Sequence, residues 1–370
     1  MKKIIPYSRQ NITKEDINSV IKVLKSDYLT TGPLVDKFEK SICKFVNSNY
    51  CVSANSATSA LHIACKAIGL KSGDFLWTSP NSFVASSNCA LYCGAKIDFV
   101  DIDMQTYNLS ASELEKKLIQ AKKEDRLPKV VVPVHFAGQA CNMKKIHSLS
   151  QDYGFKIIED ASHAIGGQYL GKPIGGCQYS DITVFSFHPV KIITTAEGGL
   201  ATTNSKELAE KMRLFRSHGI SRSNSLMTRQ PDGAWYYQQV GLGFNYRMTE
   251  MQAALGISQL KRLDSFVEKR RDLLNKTANI RETYHFGTFY FFEFNWIPDL
   301  QPFRTGARGP SRAGRLRFPN PSSPPVIGSF PPSTIRPNPT APRAGVAPTP
   351  SPPKSPSSSN PPPKSPSSSY

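Results

Sequence analysis

Five short apolar runs, at residues 75–79, 96–101, 129–135, 156–160 and 181–187, recur through the first half of the chain. Each is separated from the next by a stretch of helical periodicity. Runs of that length and character suit parallel strands covered on both faces, so they predict an α/β layer fold with a mainly parallel sheet. A further short strand is expected at residues 50–54, ahead of an Ala-rich helix. Ligands of such sheets sit beyond the carboxyl ends of the strands. Asp160, Ser186 and Lys191 all fall at or just past such ends, so the topology can bring them together although they are far apart in sequence.

The chemistry is richest at Phe185-Ser186-Phe187-His188-Pro189-Val190-Lys191, which continues through Thr194-Thr195 to a Gly198-Gly199 turn. A buried strand here runs into a loop that presents one hydroxyl and one primary amine. Taken alone, a lysine past a strand is an ordinary solvated charge. A second stretch, Asn55-Ser56-Ala57-Thr58-Ser59-Ala60-Leu61-His62, reads as strand, small polar turn and helix. It aims free backbone N–H groups and hydroxyls at one spot, the arrangement by which a helix N-terminus holds a phosphate. Asp160, at the end of its strand, can cap the following turn or serve as a carboxylate partner. Together the lysine, the carboxylate, the hydroxyls and the helix N-terminus match what pyridoxal phosphate needs: an amine for its aldehyde, an acid for its ring nitrogen and donors for its phosphate.

Charge narrows the class of partner. The 370 residues carry 46 Lys and Arg against 28 Asp and Glu, a net +18. Ten of those cations and only three of the anions lie in residues 278–370, and the rest of the excess is spread without a basic run. That pattern suits an anionic small substrate and gives no nucleic-acid footprint. Seven cysteines, odd in number, scattered and without a CxxC pair, predict reduced thiols in a cytoplasmic protein and no metal site. No run is long and apolar enough for a signal peptide or a membrane span, so no membrane partner is expected.

Three regions are expected. Residues 1–277 form the cofactor-binding domain with an N-terminal segment. Within it, Thr13 precedes a helix whose apolar face is Ile17, Val20, Ile21, Val23 and Leu24, a second helix covers about 35–45, and long helices are expected at about 206–216 and 249–270. Residues 278–309 are a divergent aromatic and basic segment. Residues 310–370 hold 19 of the 29 prolines and repeat Pro-Pro-Lys-Ser-Pro-Ser-Ser-Ser, which predicts a disordered, polyproline-rich tail.

The ordered set NSATSALH, FVDID, IIEDASHA, FSFHPVK with TTAEGG, RSHGI and GFNYRMTEMQAALG resembles the DegT/DnrJ/EryC1/StrS family of nucleotide-sugar aminotransferases over residues 1 to about 277. The resemblance implies a large domain of the aspartate-aminotransferase type (fold type I), pyridoxal 5'-phosphate as cofactor and a homodimer with a shared active site. It also implies a UDP-linked 4-keto-6-deoxy-N-acetylhexosamine as substrate, aminated at C4 with L-glutamate as donor for surface-glycan synthesis; a C3 or dTDP-sugar aminotransferase, or a remnant that binds without turnover, is the alternative. The family's small C-terminal domain has no matching motif here. Relatives that dehydrate at C3 replace the lysine by histidine, and Lys191 argues against that reaction.

By position, the resemblance makes Lys191 the Schiff-base amine and proton carrier, Asp160 the partner of the ring nitrogen and Phe83 the ring that stacks on the cofactor. His163 stands near the cofactor's phenolic oxygen. Ser186, Thr58 and Ser59 hold the phosphate, completed by Asn245 of a second subunit, and Tyr7, Thr30 and Thr31 contact the sugar.

Overall fold

A computed structural model of the chain describes residues 8–284. Tyr7, the segment from residue 285 to 309 and the Pro/Ser-rich tail lie outside the described residues.

Five strands alternate with helices along the chain: β1 (Tyr50–Ala54), β2 (Phe75–Thr78), β3 (Lys96–Phe99), β4 (Val130–Val132) and β5 (Lys156–Asp160). Two more, β6 (Ile182–Ser186) and β7 (Gly199–Thr203), complete a seven-stranded sheet in the order β1-β7-β6-β5-β4-β2-β3. Neighbours from β3 through β6 pair in parallel, whereas β7 runs antiparallel between β6 and β1. The five expected parallel runs are all present, each trimmed by up to a few residues. β7 departs from expectation: the Gly198-Gly199 turn is followed by a strand, and all five of its residues are buried.

Helices cover both faces: α1 (Lys14–Leu24), α2 (Pro33–Val46), α3 (Ala57–Ile68), α4 (Ala85–Tyr92), α5 (Ala111–Lys123), α6 (Met143–Tyr153), α7 (Lys206–Arg216), α8 (Glu250–Leu260) and α9 (Leu263–Tyr284). Successive strand residues point to opposite faces, and the core divides accordingly. Val130, Val132, Ile158 and Val184 pack with Leu61, Cys65, Cys89 and Met212 of α3, α4 and α7. On the other face Val131 and Ile157 meet Leu114, Leu118 and Ile146 of α5 and α6, while Phe185 and Leu200 meet Phe38 and Ile42 of α2. Burying a side chain such as Phe185 or Leu61 contributes about 2–3 kcal/mol, so these layers hold the sheet flat against its helices.

Two helical expectations change. α1 buries Val23 but leaves Ile17, Ile21 and Leu24 exposed, because it rests on α8 through Val23 and the buried Asp16 rather than through its whole apolar stripe. The helix expected at 249–270 is two, broken at Lys261-Arg262 without proline or glycine; α9 then runs seven residues past the expected boundary at 277.

Several motifs prove to be joints of this frame. Arg216 donates to the Glu39 carboxylate at 2.7 Å and to the Ser53 carbonyl at 3.0 Å, tying α7 to α2 and β1. His218 and Gly219 both adopt positive φ, and a Cβ on Gly219 would lie 1.8 Å from the Gly241 carbonyl oxygen. The chain can reverse there only with glycine at that position.

Candidate active site

Strand register assembles the site. Ile158 and Asp160 share the face of β5 that meets α3 and α4, and Val184 and Ser186 share the corresponding face of β6. Ser186 pairs across the ladder with Gly199, which in turn pairs with Ala54 at the end of β1. A Cβ on Gly199 would come within 2.4 Å of Ala57 N, so the first turn of α3 packs directly on this strand end. The Ser186 hydroxyl, the Asp160 carboxylate and the N-terminus of α3 thus open on one edge of the sheet.

The α3 turn is built by small polar side chains. Ser56 caps the helix by accepting the Ser59 N–H at 3.1 Å, and the Ser59 hydroxyl donates to Asn55 Oδ1 at 2.6 Å. The Ser59 N–H is therefore spent on the cap, and the amides of Ala57 and Thr58 are the first-turn donors left to face an anion. Asn245 lies beside the same turn within the same chain: its carbonyl accepts Asn55 Nδ2 at 3.5 Å, and Asn55 N donates to the Tyr246 carbonyl at 2.8 Å.

Asp160 is buried, and both of its oxygens are engaged. Oδ1 accepts the Ser162 hydroxyl at 2.6 Å and the Ser162 N–H at 3.1 Å; Oδ2 accepts the Ser86 hydroxyl at 2.6 Å. Ser162 stands in the IIEDASHA stretch, whereas Ser86 carries no sequence signal of its own, because the geometry that selects it is tertiary. On the opposite side of β5, Glu159 binds His135 Nε2 at 2.6 Å and Thr183 Oγ1 at 3.0 Å, and Ser180 donates to it as well. Burial alone raises the Glu159 carboxyl, but these partners outweigh it and hold it below its ordinary range.

Lys191 lies in the loop after β6, its Nζ 2.5 Å from Nε2 of His163. Gly138, at φ +89°, passes so close to the His163 carbonyl that a Cβ would lie 2.8 Å from it, so the loop after β4 fixes the turn that carries the histidine. The N-terminal segment reaches the same loop, where the Ser8 hydroxyl donates to the Val190 carbonyl at 3.2 Å. Phe83 is 74% exposed near the end of the β2 to α4 connection, two residues before α4 begins at Ala85. Thr30 and Thr31 are exposed, with Thr30 bridged to Thr249, and sit on the loop before α2.

This donor set fits pyridoxal phosphate. A primary amine and an imidazole face each other, a buried carboxylate sits one strand over, and a hydroxyl and a helix N-terminus share the neighbouring strand ends. The model of the DegT/DnrJ/EryC1/StrS aminotransferase family matches residues 10–280. The chain belongs to this family. As a member it is a pyridoxal-phosphate-dependent transaminase of fold type I.

The family's UDP-4-amino-4,6-dideoxy-N-acetyl-beta-L-altrosamine transaminase from Campylobacter jejuni is 41% identical over 270 residues, which is 73% of this chain and 68% of the relative. Helicobacter pylori PseC, an aminotransferase involved in the biosynthesis of pseudoaminic acid, superposes with a TM-score of 0.69 at 34% identity, over 76% of this chain and 71% of that one. The putative sugar aminotransferase Spr1654 from Streptococcus pneumoniae, in its PLP form, superposes with a TM-score of 0.66 at 28% identity, over 76% and 72% of the two chains.

Proposed function

We propose that this family member transfers the amino group of L-glutamate to C4 of a UDP-linked 4-keto-6-deoxy-N-acetylhexosamine, in the making of a surface glycan. The substrate class rests on the names of the Campylobacter and Helicobacter relatives. The observation that carries the chemistry is the direct Lys191 to His163 contact at the strand-end edge occupied by Asp160 and Ser186.

When bound, pyridoxal phosphate supplies an aldehyde for amines and an electron-withdrawing ring. The chain's own residues do the rest. Lys191 Nζ would hold the cofactor through its aldehyde, and as a free amine would carry a proton to and from the reacting carbon. His163 holds a proton beside that amine. The Asp160 carboxylate would accept from the protonated ring nitrogen, Ser186 and the Ala57 and Thr58 amides of the first turn of α3 would face the phosphate while Ser59 holds that turn in place, and Phe83 would cover the ring. Glutamate and keto sugar then use one site in turn. Thr30 and Thr31 would contact the sugar.

The working unit is a homodimer in which Asn245 of one subunit faces the phosphate of the other. Val84, Leu91, Tyr92, Trp235 and Leu242 are each more than half exposed, an apolar surface that a second copy would cover. No helix among the described residues is long and apolar enough to cross a membrane. A cytoplasmic location follows from the nucleotide-sugar substrate. Residues 1–277 act as the catalytic large domain, whose last helix, α9, runs on to Tyr284.

The test is visible absorbance of the purified chain with pyridoxal phosphate, before and after L-glutamate, followed by addition of the UDP-keto sugar. A lysine-linked band that glutamate discharges and the keto sugar restores supports the reading. A band that glutamate leaves unchanged would sink the transaminase turnover of this chain, and a band restored better by a 3-keto or dTDP-linked sugar would move the substrate assignment.

A further inference from the structure

We propose that Ser86 is a positioning residue for Asp160, and that Ser82 and Ser86 form a directed hydroxyl relay coupling the Phe83 loop to that carboxylate. The inference rests on the cofactor role given to Asp160 above.

The direction of the relay follows from proton counting. A serine hydroxyl has one proton. Ser86 gives its proton to Asp160 Oδ2 at 2.6 Å, so the 2.9 Å contact between Ser82 Oγ and Ser86 Oγ runs from Ser82 as donor, in preference to that hydroxyl's longer 3.4 Å reach to the Phe83 carbonyl. The order is Ser82 to Ser86 to Asp160. The far oxygen of the same carboxylate is held by Ser162 through both its N–H and its hydroxyl. With a donor on each oxygen, rotation of the carboxylate about its Cβ–Cγ bond breaks at least one short bond.

The bland reading of a serine near a helix start is a local backbone bond. Ser87, the next residue, behaves that way and donates to the Val84 carbonyl at 3.0 Å. Ser86 does not: it is fully buried and reaches 74 positions along the chain, from α4 over β4 to the end of β5. Its backbone N–H meanwhile donates to the Phe83 carbonyl at 3.1 Å. Ser82 and Ser86 therefore bracket Phe83 in sequence and connect it to Asp160 in space. A shift of the exposed Phe83 loop draws on Ser82 and through it on the acid, so closure over the cofactor ring and alignment of the ring-nitrogen partner become one event.

Hydrogen bonds to charged groups and their removal from buried sites change equilibria by about tenfold or more. Ser86→Ala in the full chain should weaken pyridoxal phosphate binding by about tenfold, measured by absorbance titration. It should also move the pH midpoint of the lysine-linked band upward, because a less firmly held ring proton withdraws less electron density. Ser86→Cys, similar in size with a weaker donor, should fall between. Ser82→Ala, at a half-buried position that tolerates truncation, should shift both readouts in the same direction by less. In an Asp160→Asn background Ser86→Ala should add nothing to the midpoint shift. Wild-type affinity and midpoint in Ser86→Ala and Ser82→Ala overturn the proposal. So does an undiminished Ser86→Ala effect in the Asp160→Asn background, which marks a packing role. Failure of the wild-type chain to bind the cofactor overturns the role of Asp160 and this inference with it. Binding by wild type with indifferent serine variants overturns the inference alone.

Discussion

Lys191 Nζ and His163 Nε2 lie 2.5 Å apart, in direct hydrogen-bond contact. One of the pair donates while the other accepts, so the imidazole can take a proton as the amine gives it up. His163→Ala removes that acceptor. The expected outcome is a rate of glutamate half-transamination reduced by about 10²-fold, the usual scale for a positioned acid or base, with cofactor still bound. Single-turnover absorbance measures it, and an unaltered rate would assign the contact to packing alone.

Lys191→Ala tests the amine itself. The side chain is partly exposed and belongs to no buried apolar cluster, so truncation should change the unfolding free energy by under about 1 kcal/mol. The visible band of the lysine-linked cofactor should vanish. Persistence of that band at wild-type position, in a variant that folds, would remove Lys191 from the reaction.

A third prediction concerns the frame that carries Thr30 and Thr31. α2 begins with Gly32 as its cap, which has no side chain to satisfy the first turn. Glu250, from the first turn of α8, supplies the acceptor instead: its carboxylate takes the N–H groups of Gly32, Leu34 and Val35 at 3.1, 2.8 and 3.0 Å. A Cβ on Gly32 would stand 2.8 Å from that carboxylate, so the approach needs glycine. Glu250→Ala leaves three donors without a partner at a buried site and should cost about 3 kcal/mol of stability. Urea unfolding measures the loss; Glu250→Gln, which keeps an acceptor oxygen, should lose less. Equal stability of Glu250→Ala and wild type would mean that water replaces the carboxylate at no cost.

Glu250 also marks what a sequence shows and what it hides. The parallel strands were legible because Val130–Val132 and residues 157–160 are buried on both faces and stand in apolar runs. Lys191 and Asp160 stood out because strand ends collect ligands. β7 was not legible: Gly-Leu-Ala-Thr-Thr is small and half polar, and its threonines are acceptable in the core only because Thr202 and Thr203 donate to the carbonyls of Gly175 and Asp181. Those partners lie more than twenty residues away. Ser86 and Glu250 share the same difficulty, since each is defined by a group 74 or more positions distant. Local pattern reports burial and period, and side-chain pairing across the fold is invisible to it. The exposed stripe of α1 is the converse case, a helical period that announces an apolar face without saying what meets it.

The acid stability of the chain should report one such distant pairing. Asp16 of α1 is fully buried, and its Oδ2 accepts Thr13 N–H at 2.9 Å, Gln259 Nε2 at 2.8 Å and Arg262 Nη2 at 2.5 Å. Burial pushes its carboxyl up, but bonds from Ser258, Thr13 and Gln259 and the charge of Arg262 together hold it below its ordinary value of 3.8. A group depressed in the folded state contributes stability that is complete above its unfolded value and is lost as pH falls through the folded one. The anchoring of α1 on α8 should therefore be constant from about pH 5 upward and weaken below about pH 4. Asp16→Asn removes the charge on which the arrangement depends and should cost on the order of 2 kcal/mol at pH 7, discounted for the partial exposure of Arg262. Because wild type loses its advantage as Asp16 becomes protonated, the gap between the two proteins should narrow at pH 3. Urea unfolding of both at pH 7 and pH 3 decides it: a gap of the same size at both values would show that the Asp16 charge does not hold α1 in place.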